Sequence, residues 1–117
     1  MNETGEFDKA ALEALMRIAR DSEDLHLLLG EFVSSTRERI SAIRGTSDGD
    51  TIRRLAHPMK SGASTIGATG FAHLCREIEQ ACQQGNPAEA IRLATSLETE
   101  FARVMDWLQA ETGYPAS

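Results

Sequence analysis

Apolar residues recur at three- and four-residue steps along most of this 117-residue chain, and no segment shows the strict alternation of a half-buried strand. The pattern predicts five helices. Asp8 can cap a first one reaching about Ala19, with Leu12, Leu15, Met16 and Ala19 on one side, a short amphipathic piece expected to lie across one end of a bundle. Asp21 or Ser22 can cap a long second helix through about Ile43, with a core stripe of Leu25, Leu28, Leu29, Phe32, Thr36 or Val33, and Ile40. The turn-rich run Arg44-Gly45-Thr46-Ser47-Asp48-Gly49 ends it. A third helix runs from about Asp50 to Ile66, where Gly67 marks its end, and Ala68-Thr69 opens a fourth through about Gln84.

Gln84-Gly85-Asn86-Pro87 is the strongest punctuation in the chain: a glycine after a helix, an asparagine cap, and a proline at the first helical position. The fifth helix then reaches about Ala110, burying Ala90, Ile91, Ala94, Leu97, Phe101, Val104, Met105 and Leu108. Short loops between long helices imply antiparallel neighbours. The expected fold is therefore all-α, an antiparallel up-and-down four-helix bundle with an additional short N-terminal helix. Residues 1–6 are expected to be a flexible N-terminus, 7–112 one helical domain, and 113–117 a flexible tail.

The third helix carries the candidate chemistry. Ile52, Leu55, Ala56, Met59, Ala63 and Ile66 form its apolar stripe, while Arg53, Arg54, His57, Lys60, Ser61 and Ser64 fall on the polar one. His57 would thus face solvent with cations about one turn away. An imidazole, with a reference pKa of about 6.5, keeps a free lone pair near neutral pH and can accept a phosphoryl group. Neighbouring cations would bind the phosphoryl oxygens through charge-assisted hydrogen bonds. Gly62, Ala63, Gly67 and Ala68 let another helix or a second protein approach this backbone closely. Periodicity alone is equally consistent with an ordinary exposed histidine on an amphipathic helix. Pro58 removes an amide hydrogen and pushes against the Arg54 carbonyl, so a kink or a solvated carbonyl is expected beside His57.

The Ala56-His57-Pro58-Met59-Lys60-Ser61 run, followed by Gly67-Ala68 and then by Phe71, Cys75, Ile78 and Glu79, resembles the signature of histidine-containing phosphotransfer (HPt) domains. Phe7-Asp8 with Leu12, Leu15, Leu28, Phe32 and Ile40 is similar to that family's opening pattern. Met59 stands where the family usually has leucine, a volume-conserving change. The resemblance implies the same bundle, with His57 as phosphoacceptor through its solvent-facing nitrogen, in the family Nε2. It also implies Lys60, Ser61 and Ser64 as groups stabilising the phosphoryl oxygens, and Arg53, Arg54, Gly62 and Gly67 as sites of partner docking or close approach.

The activity so implied is reversible phosphorelay in two-component signalling, between His57 and aspartates of response-regulator receiver domains. The partners expected are the receivers of a hybrid sensor kinase and of a downstream regulator. Catalytic groups and Mg²⁺ would come from the receiver, so the chain itself is expected to need no cofactor and no metal. It is expected to be a carrier and not an enzyme, since it shows no glycine-rich phosphate loop, no identifiable carboxylate pair and no nucleotide-binding domain. The alternatives are a non-catalytic binding module for receivers and a histidine-kinase dimerisation fragment. In the latter an acidic residue usually follows the histidine, whereas here Pro58 does.

Composition narrows the field further. A chain of this length can bury one core, and 41% hydrophobic with 26% charged residues argues against disorder. Net charge is −6, which disfavours a nucleic-acid partner. No uncharged apolar run is long enough to insert in a membrane, and the acidic Met1–Glu6 segment is unlike a secretory signal, so the expected location is the cytoplasm. Cys75 and Cys82 are seven apart on one helix, roughly 10 Å along its axis and beyond disulfide reach. They read as buried thiols. A zinc site from His73, Cys75 and Cys82 fails because residues two apart on a helix do not face one another. His26 reads as a packing or surface residue, His73 as exposed, Glu77, Glu79 and Glu89 as solvated helix faces, and Phe101 and Trp107 as core or end-capping aromatics.

Overall fold

Short polar side chains set most of the helix starts. Asp8 accepts a hydrogen bond from the Ala11 amide ahead of α1 (Lys9–Ile18), and Asp21 accepts one from Asp24 ahead of α2 (Ser22–Arg44). Asp48 does the same for Thr51 ahead of α3 (Gly49–Ile66), and Asn86 for Glu89 ahead of α5 (Pro87–Ala94). Each cap satisfies an amide the helix cannot, and the aspartates also meet the positive end of the helix dipole. α4 (Thr69–Gln83) and α6 (Leu97–Thr112) begin without such a cap. The computed structural model describes residues 6–115, and among them no strand occurs. The calls on residues 1–5 and on Ala116 and Ser117 lie outside the described residues.

The helices form the all-α bundle. Only Gly67 and Ala68 separate α3 from α4, so these two run antiparallel and share the most extensive interface, with α2 packed on α3 and α5 and α6 on α4. The core threads through all of them: Leu29 of α2, Ile52, Ala56, Met59 and Ala63 of α3, Cys75 and Ile78 of α4, and Leu97 and Leu108 of α6 are essentially sealed from water. Three aromatic rings meet inside, Phe101 lying 5.7 Å from Phe71 and 6.1 Å from Phe32. Short helices bury too little on their own, and packing of these apolar stripes is what holds them.

Three expectations about the helices need correction, one being that Ile91, expected to be buried, is 40% exposed. The fifth helix is two, because the ladder tightens at Thr95 and Ser96, whose amides bond the carbonyls three residues back, Arg92 and Leu93. The Thr95 hydroxyl also donates to the Arg92 carbonyl at 2.7 Å, competing for a helical acceptor. In α2 the buried stripe is Leu25, Leu29, Val33, Thr36, Ile40 and Ile43, while Leu28 is 41% exposed and Phe32 only half-buried. Those two residues face sideways toward a cleft shared with α1 and α3.

The segment before α1 closes one end of the bundle. Its backbone is tied at Asp8 N–H to the Gly67 carbonyl (2.7 Å) and at the Glu6 carbonyl to Gly70 N–H (2.8 Å), and Phe7 stacks on Trp107 with ring centres 4.5 Å apart. Gly67 makes this possible. Its φ of +93° caps α3 in the left-handed region, and a Cβ there would lie 2.3 Å from the Asp8 carbonyl oxygen. At the other end of the sequence Tyr114 is half-buried, edge-on to His26 at 5.5 Å.

Candidate functional site

The α3–α4 hairpin fixes the site. With a two-residue connection, the polar edge of α3 meets α4 in one register, and that register sets Glu79 opposite His57 and Lys60. Glu79 is 6% exposed, one of two buried polar or charged side chains among the described residues. Its Oε2 lies 2.6 Å from His57 Nδ1 and its Oε1 lies 2.7 Å from Lys60 Nζ. On the sequence pattern alone Glu79 is expected to be a solvated carboxylate. The structure corrects this: α4 packs so closely on α3 that the position four residues after the buried Cys75 falls at the edge of the core. That spacing, and the glutamate closing the Phe71, Cys75, Ile78, Glu79 pattern, were the available signals.

Burial alone would raise the Glu79 carboxyl, but hydrogen bonds from Lys60 and then His57, with their charge, outweigh it and hold the group below its ordinary value of 4.5. Glu79 is therefore an anion at neutral pH and accepts hydrogen bonds only. His57 Nδ1 must then be the donor, which in the neutral imidazole places the proton on Nδ1 and leaves the Nε2 lone pair free. The His57 side chain is 62% exposed, so Nε2 is open to an incoming group. The orientation of the ring is thus set within the chain itself.

The other predicted positions divide. Ser61 and Ser64 are exposed and line a groove with Lys60, Gly70, His73 and Arg76, on the same side of the hairpin. Arg53 and Arg54 do sit one turn before His57, but both are engaged with Asp50, at 2.9 and 3.2 Å. Gly62 serves close packing inside the chain, since a Cβ there would come within 3.1 Å of the Phe32 ring, and Gly67 serves the αL cap already described. α3 continues as one helix through Pro58. Pro58 lines a shallow apolar cleft with Leu15, Leu28, Phe32, Gly62 and Ile66, next to the imidazole in sequence.

The remaining candidates are not part of this arrangement. His26 Nε2 faces the Thr112 carbonyl at 3.4 Å, and exposed His73 pairs with Glu77 at 3.4 Å. Cys75 and Cys82 are free thiols, the first buried and the second half-buried. Among the described residues no three His, Cys, Asp or Glu side chains group as a metal set.

An exposed histidine presented by a helical hairpin and held from behind by a buried carboxylate defines a phosphoryl-carrier bundle, and sequence comparison agrees. The Hpt domain family model matches residues 27–107, more than half of the chain, so the chain belongs to the Hpt domain family, a group of histidine phosphotransfer intermediates in phosphorelay signalling. Among solved structures it is similar to the crystal structure of histidine-containing phosphotransfer protein B (HptB) from Pseudomonas aeruginosa PAO1. The likeness has a TM-score of 0.83 and 28% identity, and covers 92% of this chain and 95% of that one. No curated protein sequence matches the chain. Family members carry phosphoryl groups instead of acting as kinases, and among the described residues no helix is long and apolar enough to cross a membrane.

Proposed function

We propose that His57 is the phosphoacceptor, taking the phosphoryl group of a receiver-domain aspartate on Nε2 and passing it to a second receiver. The observation that carries this reading is the 2.6 Å contact between His57 Nδ1 and buried Glu79 beneath an otherwise open ring. The Nε2 lone pair attacks phosphorus, the N–P bond forms as the P–O bond to the aspartate breaks, and the aspartate leaves as a carboxylate. The ring keeps its proton on Nδ1 and becomes cationic, and the Glu79 anion stabilises it there. No proton has to leave. The reverse transfer uses the same geometry, which suits a carrier that must both load and unload.

Lys60, 30% exposed and anchored to Glu79 by one hydrogen bond, keeps other ammonium hydrogens for the phosphoryl oxygens. Ser61 and Ser64 offer hydroxyl donors from the same groove. The apolar cleft of Leu15, Leu28, Phe32 and Pro58 is the proposed receiver-docking surface, with Mg²⁺ and the catalytic acids supplied by the receiver. The donor and acceptor receivers are assigned to a hybrid sensor kinase and a downstream regulator, and the carrier to the cytoplasm, without kinase activity of its own.

The test incubates the protein with a panel of receiver domains charged with radiolabelled acetyl phosphate, and separately with labelled ATP alone. Acid-labile, base-stable label that moves to the protein from a receiver and disappears in a folded His57→Gln variant supports the proposal. Labelling from ATP alone, or receiver binding without transfer, overturns it.

A further inference from the structure

Charge balance around His57 leaves one requirement unmet. A phosphoryl group brings close to two negative charges, yet the cations nearest to it on α3 are already engaged: Lys60 by Glu79, and Arg53 and Arg54 by Asp50. The groove beside Lys60 has a second wall, contributed by α4, and two basic residues stand on it, His73 and Arg76. His73 pairs with Glu77. Arg76 is exposed and, among the described residues, has no ion pair and no side-chain hydrogen bond.

We infer that Arg76 is a second phosphoryl-binding residue, reaching from α4 across the groove to the group carried on His57. This rests on His57 being the phosphoacceptor. The placement follows from helix geometry: Arg76 precedes Glu79 by three residues and so shares its face of α4. In the antiparallel hairpin that puts it at the level of Lys60 and Ser61, with which it lines the groove. A guanidinium offers a planar fork of donors that matches phosphoryl oxygens, where Lys60 offers a point charge. Lys60 and Arg76 would thus grip the group from two helices, and the net charge they add counters what Glu79 takes away.

The test loads the protein with phosphoramidate, which needs no receiver, and follows the phosphohistidine by ³¹P NMR at low ionic strength. The resonance that vanishes in His57→Gln belongs to His57. Its chemical shift, titrated against pH, gives the second ionisation of the phosphoryl group. A cation beside the group favours the dianion, so Arg76→Gln should raise that pKa by roughly half a unit, and Arg76→Lys should keep most of the lowering. Thermal midpoints of both variants should match the parent, because Arg76 is exposed, so a structural role would not produce this pattern. A His57 resonance that titrates identically in parent and Arg76→Gln overturns the inference alone. Failure to obtain any His57-dependent resonance overturns the phosphoacceptor reading as well.

Discussion

Replacing Glu79 by glutamine removes one charge and almost no volume, and the structure gives the size of the effect. The carboxylate accepts from two donors at 2.6 and 2.7 Å, whereas an amide has one oxygen and an NH₂ that confronts either the Lys60 ammonium or the His57 Nδ1–H. Either one of the two contacts is lost, or the ring moves its proton to Nε2 so that Nδ1 can accept from the amide, which blocks the reacting nitrogen. Because His57 and Lys60 are 62% and 30% exposed, the released partner finds water, and the stability cost stays near 1–2 kcal/mol instead of that of a fully buried ion pair. The larger consequence is chemical. Once phosphorylated, the ring is cationic, and exchanging a charge-assisted bond for a neutral one withdraws about 1–1.5 kcal/mol of stabilisation. Transfer to His57 should slow roughly 5- to 15-fold. Rapid-quench measurement of label passing from a phosphorylated receiver to Glu79→Gln, beside a Glu77→Gln control at the neighbouring exposed carboxylate, tests this. Transfer within twofold of the parent in a folded Glu79→Gln protein would refute the positioning argument.

Other consequences are equally direct. Glu79 titrates below 4.5 in the folded chain, so its contribution is complete above that value and is lost as pH falls through the lowered one. The parent's melting temperature should therefore drop more steeply than that of Glu79→Gln on acidification below pH 4.5, and parallel melting curves would count against the buried ion pair. Burial first, and Glu79 second, push the Cys75 thiol up to about 12, so iodoacetamide at mildly alkaline pH should leave Cys75 unmodified while half-buried Cys82 reacts, as peptide mass spectrometry will show. Gly67→Ala meets both a φ of +93° and a carbonyl oxygen at 2.3 Å, whereas Gly85→Ala meets a φ of +74° and open space. The first should cost about 2–4 kcal/mol and the second about 1 kcal/mol by thermal or urea unfolding, and equal losses would contradict the close approach of Asp8 to Gly67.

What the chain reveals before folding depends on whether a feature is local. The caps Asp8, Asp21 and Asn86-Pro87 and the αL glycine at Gly67 each act within one turn, and all are readable as letters. So is the polar face holding His57, because Ile52, Ala56, Met59 and Ala63 define the opposite, buried side. Glu79 was not readable by composition, since a glutamate on an amphipathic helix is ordinarily solvated, and only the α3–α4 register turns it inward. Leu28 illustrates the converse. Its spacing suits the core stripe of α2, but α2 is rotated so that Ile43 completes the stripe and Leu28 borders the cleft beside Pro58. The break at Thr95 and Ser96 carries no glycine or proline and keeps helical torsions at both residues, so nothing but a hydroxyl competing for a carbonyl marks it.

If Glu79 fixes the His57 proton on Nδ1, Nε2 is the nitrogen left to react. Loading the ¹⁵N-histidine-labelled protein from a phosphorylated receiver, and identifying the phosphorylated nitrogen from one-bond nitrogen–phosphorus coupling, decides this. One phosphohistidine is expected, at Nε2 of His57, with the Nδ1 proton retained. Phosphate on Nδ1 of His57, or on His26 or His73, would contradict it.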